Sequence, residues 1–179
     1  LSVYAILRAL LMPGRKIVIV GAAFRQSKVL FEYMDSVWRN SPLLRDIVGG
    51  SGGPRRDVDM CRLKIGESQI TCLPLGDGSK IRGQRANDII ADEFASIPRE
   101  IFENVVAGFA AVASSPIEKV KQKAKEKKAK ELGIPVSEKK KNMMDKSNQI
   151  ILSGTAYYDF NHFAEYWKRY RSIVSSGGD

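Results

Sequence analysis

The spacing of hydrophobic residues alternates along the chain between the period of a helix and the continuous runs of buried strands. Apolar residues stand at positions 3, 6, 7, 10 and 11, which is the spacing of an amphipathic helix, and Pro13-Gly14 ends it. Residues 16–21 form a β-branched run typical of a strand buried on both faces of a parallel sheet. Residues 25–39 return to helical spacing. This order of elements predicts βαβ units and an α/β fold.

The middle of the chain combines turn-forming residues with shorter strands. Residues 49–56 are rich in Gly and predict a flexible loop. Strands are predicted near 60–65 and 69–74, with Gly66-Glu67 at the turn of a half-exposed hairpin. Cys61 and Cys72 would then face each other across the hairpin, and we expect them to be reduced.

Two later apolar runs end in polar residues. Residues 88–91 predict a strand that ends at Asp92 and Glu93, and residues 150–152 predict a second strand that ends at Ser153-Gly154-Thr155. Parallel strands present their ligand-binding residues at their carboxyl ends. We therefore expect these two polar segments to lie side by side at one edge of the sheet.

Composition and charge narrow the class of protein. The 179 residues are 44% hydrophobic, and no apolar run approaches the roughly 18–20 residues of a membrane span. The formal net charge of +9 favours a polyanionic partner. Two cysteines and one histidine, His162, argue against a disulfide scaffold, a zinc site or a Ser-His-Asp triad.

The Asp92-Glu93 pair is the sharpest chemical signal. A hydrophobic strand ending in Asp-Glu has the form of a Walker B motif, in which Asp92 could hold Mg²⁺ directly or through water. Glu93 could orient or deprotonate the attacking water, and phosphoryl transfer needs both roles. The alternative interpretation is a pair of solvated carboxylates at the end of a strand.

The surroundings of this pair carry a family resemblance. Arg82-Gly83 stands ahead of Asp92, the run Asp92-Glu93-Phe94-Ala95 follows, and Ser153-Gly154-Thr155 ends a later strand. These elements, in this order, resemble the ATPase domain of the large terminase subunit, the DNA-packaging motor of tailed bacteriophages. The similarity covers roughly residues 1–160.

The resemblance implies a fold, a ligand and a set of roles. The fold would be a three-layer α/β/α sandwich with an additional-strand P-loop NTPase core, and the ligands would be ATP and Mg²⁺. Arg82 would be a trans-acting arginine finger, with Arg85 as the alternative; a turn-stabilising role for Arg82 stays open. Ser153, Gly154 and Thr155 would sense the γ-phosphate and couple it to the following helix, or form an ordinary strand-to-helix turn.

The family's phosphate-binding loop precedes the helix that resembles residues 1–12, and no Gly-Lys-Ser/Thr stretch occurs in this sequence. We therefore interpret the chain as a fragment of a longer parent protein, truncated at the N-terminus. The parent would be an ATP-driven DNA translocase, and the fragment would be inactive alone.

The segment 118–141 holds ten Lys and four Glu, a net +6. It could be a solvated surface helix, a contact with another motor protein, or a contact with the DNA backbone through Lys121, Lys125 and Lys128. The domain hypothesis assigns 1–112 and 150–158 to the ATPase core. It assigns 113–149 to a Lys-rich helical insertion and 159–179 to a lid or linker helix with a flexible tail.

The resemblance also implies partners and a location. The partners would be double-stranded viral DNA, neighbouring subunits in a ring, the small terminase subunit and the portal, without a membrane. The site of action would be the host cytoplasm, at the procapsid. Two alternatives stay open from sequence: a helicase-like P-loop ATPase, and a basic DNA-binding or assembly module without nucleotide chemistry.

Overall fold

A computed structural model of the chain describes residues 1–50, 52–75, 86–103, 148–155 and 158–178. The first half contains α1 (Ser2–Leu11), β1 (Lys16–Gly21), α2 (Phe24–Asn40), α3 (Pro42–Val48), β2 (Gly53–Arg56), β3 (Cys61–Ile65) and β4 (Ser68–Pro74). The second half contains β5 (Asp88–Ala91), a 3₁₀ turn (Phe94–Ser96), α4 (Arg99–Ile101), β6 (Gln149–Leu152) and α5 (His162–Ser175).

Six strands of the described residues form one mixed sheet in the order β2-β3-β4-β1-β5-β6. The strands β4, β1, β5 and β6 run parallel to one another, and β2 and β3 complete the sheet as antiparallel strands. Helices flank this sheet, so the α/β fold predicted from the alternating periods is confirmed. None of the helices in the described part of the chain combines the length and apolar character that a membrane crossing requires.

One face of the sheet packs against α1 and α2. The side chains of Ile17, Ile19, Ile70 and Ile90 point to this face and meet Phe31 and Met34 of α2. The buried residues of α1 are Ser2, Ala5, Ile6 and Ala9, whereas Val3, Leu7 and Leu11 are exposed. The apolar side predicted for α1 is therefore largely wrong. Small residues face the core because they let α1 approach α2 closely, and Ser2 Oγ donates to the Leu30 carbonyl at 3.0 Å.

The opposite face of the sheet carries a second core. Val18, Val20, Leu73 and Ile89 point to this face, where they pack with other apolar residues. These are Leu75, Ala86, Ala91, Phe94, Ile97 and Phe102, with Phe163 and Tyr166 of α5 at the margin. Because β1 has a core on each side, all its residues except Lys16 are buried, as its β-branched sequence predicts.

Residues 49–56 depart from the predicted loop. Residues 53–56 form β2 because they pair with the antiparallel edge of β3. Their own sequence, Gly-Pro-Arg-Arg, has low strand propensity and does not predict a strand. The prediction also missed α3, which Pro42 begins at its first turn and Ser41 caps by accepting a hydrogen bond from the Leu44 amide.

A buried ionic cluster lies at the amino end of β5, and Asp92 follows the carboxyl end of the same strand. The fully buried carboxylate of Asp88 accepts two hydrogen bonds from Arg8 of α1, at 2.9 and 3.1 Å. Arg15 lies 3.5 Å away, and the Gln149 amide of β6 donates to Asp88 Oδ1 at 3.1 Å. This carboxylate therefore ties α1, β5 and β6 together.

Candidate functional site

The carboxyl ends of β5 and β6 meet at one edge of the sheet. These strands pair in parallel, with Ala91 opposite Leu152, so the next residues, Asp92 and Ser153, begin two adjacent loops. The expected side-by-side placement of the two polar strand ends is confirmed. Asp92, Glu93 and Ser153 are half-buried, which leaves part of each residue accessible to a ligand.

Backbone hydrogen bonds extend this pairing beyond the strands. The Asp92 amide donates to the Val20 carbonyl of β1 at 2.9 Å, and the Ser153 amide donates to the Ala91 carbonyl at 2.9 Å. The Phe94 amide in turn donates to the Ser153 carbonyl at 2.8 Å. The two loops are thus joined on both sides of Glu93, and a shift of one loop strains the other.

Glu93 has an unusual backbone conformation. It lies in the left-handed region, with φ 49° and ψ 47°, and it is the sole non-glycine residue with positive φ among those the structure describes. This conformation costs an L-residue about 1–2 kcal/mol and persists where the surroundings impose it. It turns the chain sharply from β5 into the 3₁₀ turn and leaves Glu93 at the corner.

Gly154 lies against this corner. A Cβ at residue 154 would stand 3.2 Å from the Phe94 amide nitrogen, 3.4 Å from the Phe163 ring and 3.5 Å from Glu93 Cα. A larger residue would push the two loops apart. This close approach gives Gly154 a definite packing role beside Glu93, independent of any ligand.

Phe94 packs the turn at Glu93 against α5. Its ring is fully buried and makes edge-on contacts with Phe102, His162, Phe163 and Tyr166, at centroid separations of 4.7, 4.8, 5.6 and 5.4 Å. Such aromatic pairs add to the gain from burial. The residue directly after Glu93 therefore forms the main contact between the candidate site and the last described helix.

The first turn of α5 is anchored to the same segment by hydrogen bonds. Asn161 caps the helix by accepting from the Phe163 amide at 2.9 Å, and its Nδ2 donates to the Ala95 carbonyl at 3.1 Å. His162 Nε2 lies 3.1 Å from the Phe94 carbonyl oxygen. Sequence reasoning did not foresee this anchor, although an Asn immediately before an aromatic amphipathic helix is a recognisable capping signal.

A polar cluster reinforces the attachment of α5. Arg99 of α4 bonds Glu103 at 2.9 Å and Glu165 of α5 at 2.7 Å, and the Tyr166 hydroxyl donates to Glu103 at 3.0 Å. The hydrogen bond from Arg99, together with that from Tyr166, lowers the pKa of Glu103. Burial, followed by the contact with Glu103, raises the pKa of Tyr166.

Several residues singled out from sequence lie outside the described residues. These are the arginine-finger candidates Arg82 and Arg85, and the DNA-contact candidates Lys121, Lys125 and Lys128. Their roles stay predictions, as do those of Asp92, Glu93 and the 153–155 segment. Within the described ranges, no group of three or more His, Cys, Asp or Glu residues gathers into a metal-binding cluster.

The architecture is similar to solved large terminase structures from phages. One is the large terminase ATPase domain of Thermus phage P74-26, with a TM-score of 0.57, 14% identity, and coverage of 92% of this chain and 57% of that chain. Another is a large terminase of a thermophilic bacteriophage, with a TM-score of 0.57, 8% identity, and coverage of 96% and 34%. No protein-family model and no curated protein matches the sequence.

These similarities confirm the fold class that the resemblance implied. The described sheet and its flanking helices have the P-loop NTPase-like α/β fold of large terminase ATPase domains. The chain spans little more than half of the first of these structures and about a third of the second. Identities of 14% and 8% concern the fold alone.

Proposed function

We propose that this chain is part of the ATPase motor of a viral large terminase subunit, which couples ATP hydrolysis to movement of double-stranded DNA into a procapsid. One observation carries the proposal. The pairing of β5 with β6 brings Asp92-Glu93 beside Ser153-Gly154-Thr155 at the carboxyl edge of a terminase-like sheet. Open α/β folds bind their ligands at this edge.

Asp92 and Glu93 have complementary roles in this proposal. A carboxylate oxygen is a donor that Mg²⁺ prefers, and half-buried Asp92 fits the metal directly or through water. When bound, Mg²⁺ neutralises charge on the ATP phosphates. Glu93 orients the attacking water and accepts its proton, and its rigid corner fixes the direction of the carboxylate.

The segment after β6 reports the state of the site to α5. A hydroxyl of Ser153 or Thr155 can hydrogen-bond to a phosphate or to its water. The Ser153 carbonyl is bonded to the Phe94 amide, and Phe94 packs against α5. A change at the phosphate therefore has a short covalent and hydrogen-bonded route to the helix, which supports a coupling role for this segment.

The proposed parent protein supplies the phosphate-binding loop and its preceding strand. Among the described strands, β6 pairs only with β5, and its Ile150 is 42% exposed. The other side of β6 therefore has backbone groups that a further parallel strand could pair with. A strand there would deliver its own carboxyl end next to Ser153, where the phosphates of ATP are expected.

Of the remaining roles, the DNA contact of the lysines rests on the charge of the segment 118–141, and the others rest on the family resemblance. Arg82 acts as the finger on a neighbouring subunit's ATP in a ring, and Lys121, Lys125 and Lys128 contact the DNA backbone. The parent protein acts in the host cytoplasm with the small terminase subunit and the portal. Residues 113–149 form an insertion, and residues 159–179 form a lid or linker.

The test is a pair of measurements on the parent protein. Replacing Glu93→Gln should abolish ATP hydrolysis and DNA packaging but leave ATP binding intact, because the metal and phosphate contacts are kept. Full hydrolysis by the variant contradicts the proposal. The matched control is Glu67→Gln, which removes an exposed carboxylate from the β3–β4 turn and should change neither measurement.

A further inference from the structure

The edge of the sheet remote from β6 has a basic surface. Side chains alternate between the two faces of a strand, and Cys61, Leu63 and Ile65 point from β3 into the core beneath α2. Arg62 and Lys64 therefore point to the other face. Arg55 of β2 lies directly opposite Arg62, on that same face.

A fourth cation extends the surface onto the parallel part of the sheet. Lys64 pairs with Gln69 of β4, and Gln69 pairs with Lys16 of β1. Val18, two residues beyond Lys16, points to the face away from α1 and α2, so Lys16 points there too. We call Lys16, Arg55, Arg62 and Lys64 the basic sheet face.

The basic sheet face is not consumed by contacts within the fold. Lys16, Arg55 and Lys64 are exposed. Arg62 contacts the Met60 sulfur at 2.8 and 3.0 Å and reaches Asp57 at 3.7 Å, and its side chain still stays about half-exposed. Arg56 provides the contrast on the same strand. It points to the other face, bonds Asp35 and Glu32 of α2, and lies 5.5 Å above the Phe31 ring. Arg56 stabilises the fold, whereas Arg55 faces solvent.

The direct opposition of Arg55 and Arg62 also works against folding. Like charges at directly opposed positions of neighbouring strands destabilise a sheet. An anionic partner laid across both strands removes this repulsion. Charge complementarity therefore points to a partner that carries closely spaced negative charges on an extended surface.

The spacing of the cations fits the DNA backbone. Neighbouring strands lie about 4.8 Å apart, and Arg62 and Lys64 are about 7 Å apart along β3. Duplex DNA carries a negative charge per about 1.7 Å of its axis, so several phosphates lie within reach of such a surface. Gln69 is exposed on β4 between Lys64 and Lys16, and its amide is a group that also bonds phosphate oxygens.

We propose that the basic sheet face contacts the phosphate backbone of double-stranded DNA without reading its sequence. This inference rests on the proposed function for its choice of DNA as the polyanion. It assigns the contact to the ATPase core itself, in addition to the Lys-rich segment at 118–141. Binding through this face is electrostatic and falls with salt.

The experiment measures binding of the 179-residue chain to a fluorescein-labelled DNA duplex between about 50 and 200 mM salt. The first variant combines Arg55→Gln, Arg62→Gln and Lys64→Gln. Its matched control removes the same charge from exposed positions of α5, with Lys168→Gln, Arg169→Gln and Arg171→Gln. A charge-conserving variant, Arg55→Lys with Arg62→Lys, keeps the electrostatic contact.

The basic-face variant should lose roughly 0.9 from the slope of log K against log salt for each phosphate contact removed, and the α5 control should keep the slope. The lysine variant should also keep it. Equal loss in variant and control overturns the inference, as does no binding by the unaltered chain. The inference is also overturned, in favour of an acidic protein partner, if the chain binds polyglutamate as tightly as DNA and the basic-face variant loses that binding.

Two further measurements separate a loss of DNA contact from unfolding of the variant and from failure of the proposed function. Circular dichroism of each variant must match that of the unaltered chain, and the lysine variant keeps the test valid if the glutamine variant unfolds. ATP hydrolysis by the parent protein without DNA does not involve the basic sheet face. Absence of ATP hydrolysis by the unaltered parent protein would refute the proposed function, whereas an unchanged salt slope in the basic-face variant would refute only this inference.

Discussion

The backbone amide of Phe94 donates a hydrogen bond to the carbonyl of Ser153 at 2.8 Å. This bond carries the pairing of β5 and β6 past the ends of both strands and holds Glu93 beside Gly154. The candidate general base and the candidate coupling segment are therefore parts of one small backbone unit. Substitutions that disturb this unit should affect folding and function together, and each can be measured.

Replacing Gly154→Ala should destabilise the chain. The new Cβ would lie 3.2 Å from the Phe94 amide nitrogen, so the loops must separate by a few tenths of an ångström. Overpacking costs about 1–3 kcal/mol, and the reduced freedom of the unfolded chain returns about 0.4–1, which leaves a net loss of roughly 1 kcal/mol. Urea unfolding measures this loss.

The control for that substitution is Gly50→Ala, because nothing lies within 4 Å of a Cβ built at residue 50. This variant should be as stable as the unaltered chain or slightly more stable. If Gly154→Ala behaves like Gly50→Ala, the close approach of the two loops is not a constraint on the fold.

Replacing Glu93→Asn should stabilise the fold while removing the proposed catalytic group. Asn adopts the left-handed conformation several-fold more readily than most residues, which corresponds to roughly 0.6–1 kcal/mol at φ 49°. Glu93→Gln keeps the conformational cost and should leave the unfolding midpoint unchanged. Both variants should abolish hydrolysis in the parent protein. Equal midpoints for Asn and Gln would show that the backbone at this corner stores no strain.

The strand ends that form the candidate site could be predicted because they depend on local sequence. An apolar run followed by Asp92-Glu93, and another followed by Ser153, determine strands and their polar ends without long-range information. The apolar side predicted for α1 is largely wrong, because Leu7 and Leu11 are as apolar as core residues and yet are exposed. Helical spacing identifies a helix, and its neighbours decide which side is buried.

Other features depend on contacts between residues far apart in the chain. The strand at 53–56 exists because β3 pairs with it, and its own residues have low strand propensity. The packing of Phe94 against Phe163 joins positions separated by most of the second half of the sequence. No local pattern signals the left-handed backbone of Glu93, because that conformation is imposed by the surrounding loops.

The attachment of α5 should weaken in acid through Glu103. Because its contacts with Arg99 and Tyr166 lower the pKa of Glu103, their stabilisation is complete above the ordinary value of 4.5. It is lost as pH falls through the lowered pKa of the folded state. The unfolding midpoint should therefore drop in this acid range, and Glu103→Gln should remove that part of the drop. Glu100→Gln is the matched control, and an equal effect from it would refute the assignment to Glu103.

The cysteines should be unreactive in the folded chain. Cys61 and Cys72 face each other on β3 and β4, both are buried, and burial raises the pKa of each thiol. The thiolate is the reactive form, so iodoacetamide should label both residues much more slowly in the folded chain than in the unfolded chain. Lys28 and Arg56 partly oppose the rise at Cys61, so Cys61 should react first. Rapid double labelling of the folded chain, read by mass spectrometry, would contradict the hairpin packing.

The last prediction concerns Arg82 in the parent protein. A finger that acts in trans stabilises the transition state on a neighbouring subunit and adds little to nucleotide binding by its own subunit. Arg82→Ala should therefore slow hydrolysis by about 10³-fold or more while ATP affinity changes little. Arg85→Ala is the comparison, because Arg85 is the alternative finger three residues further along the same segment. The larger loss of rate identifies which of the two arginines is the finger.

Mixing separates a trans role from a cis role. Rings assembled from Arg82→Ala and Glu93→Gln subunits contain some interfaces with an intact Glu93 on one side and an intact Arg82 on the other. These interfaces should recover part of the hydrolysis that neither variant supports alone. If mixed rings form, as native mass spectrometry can establish, and no mixing ratio restores activity, Arg82 acts within its own subunit or only stabilises the turn at Gly83.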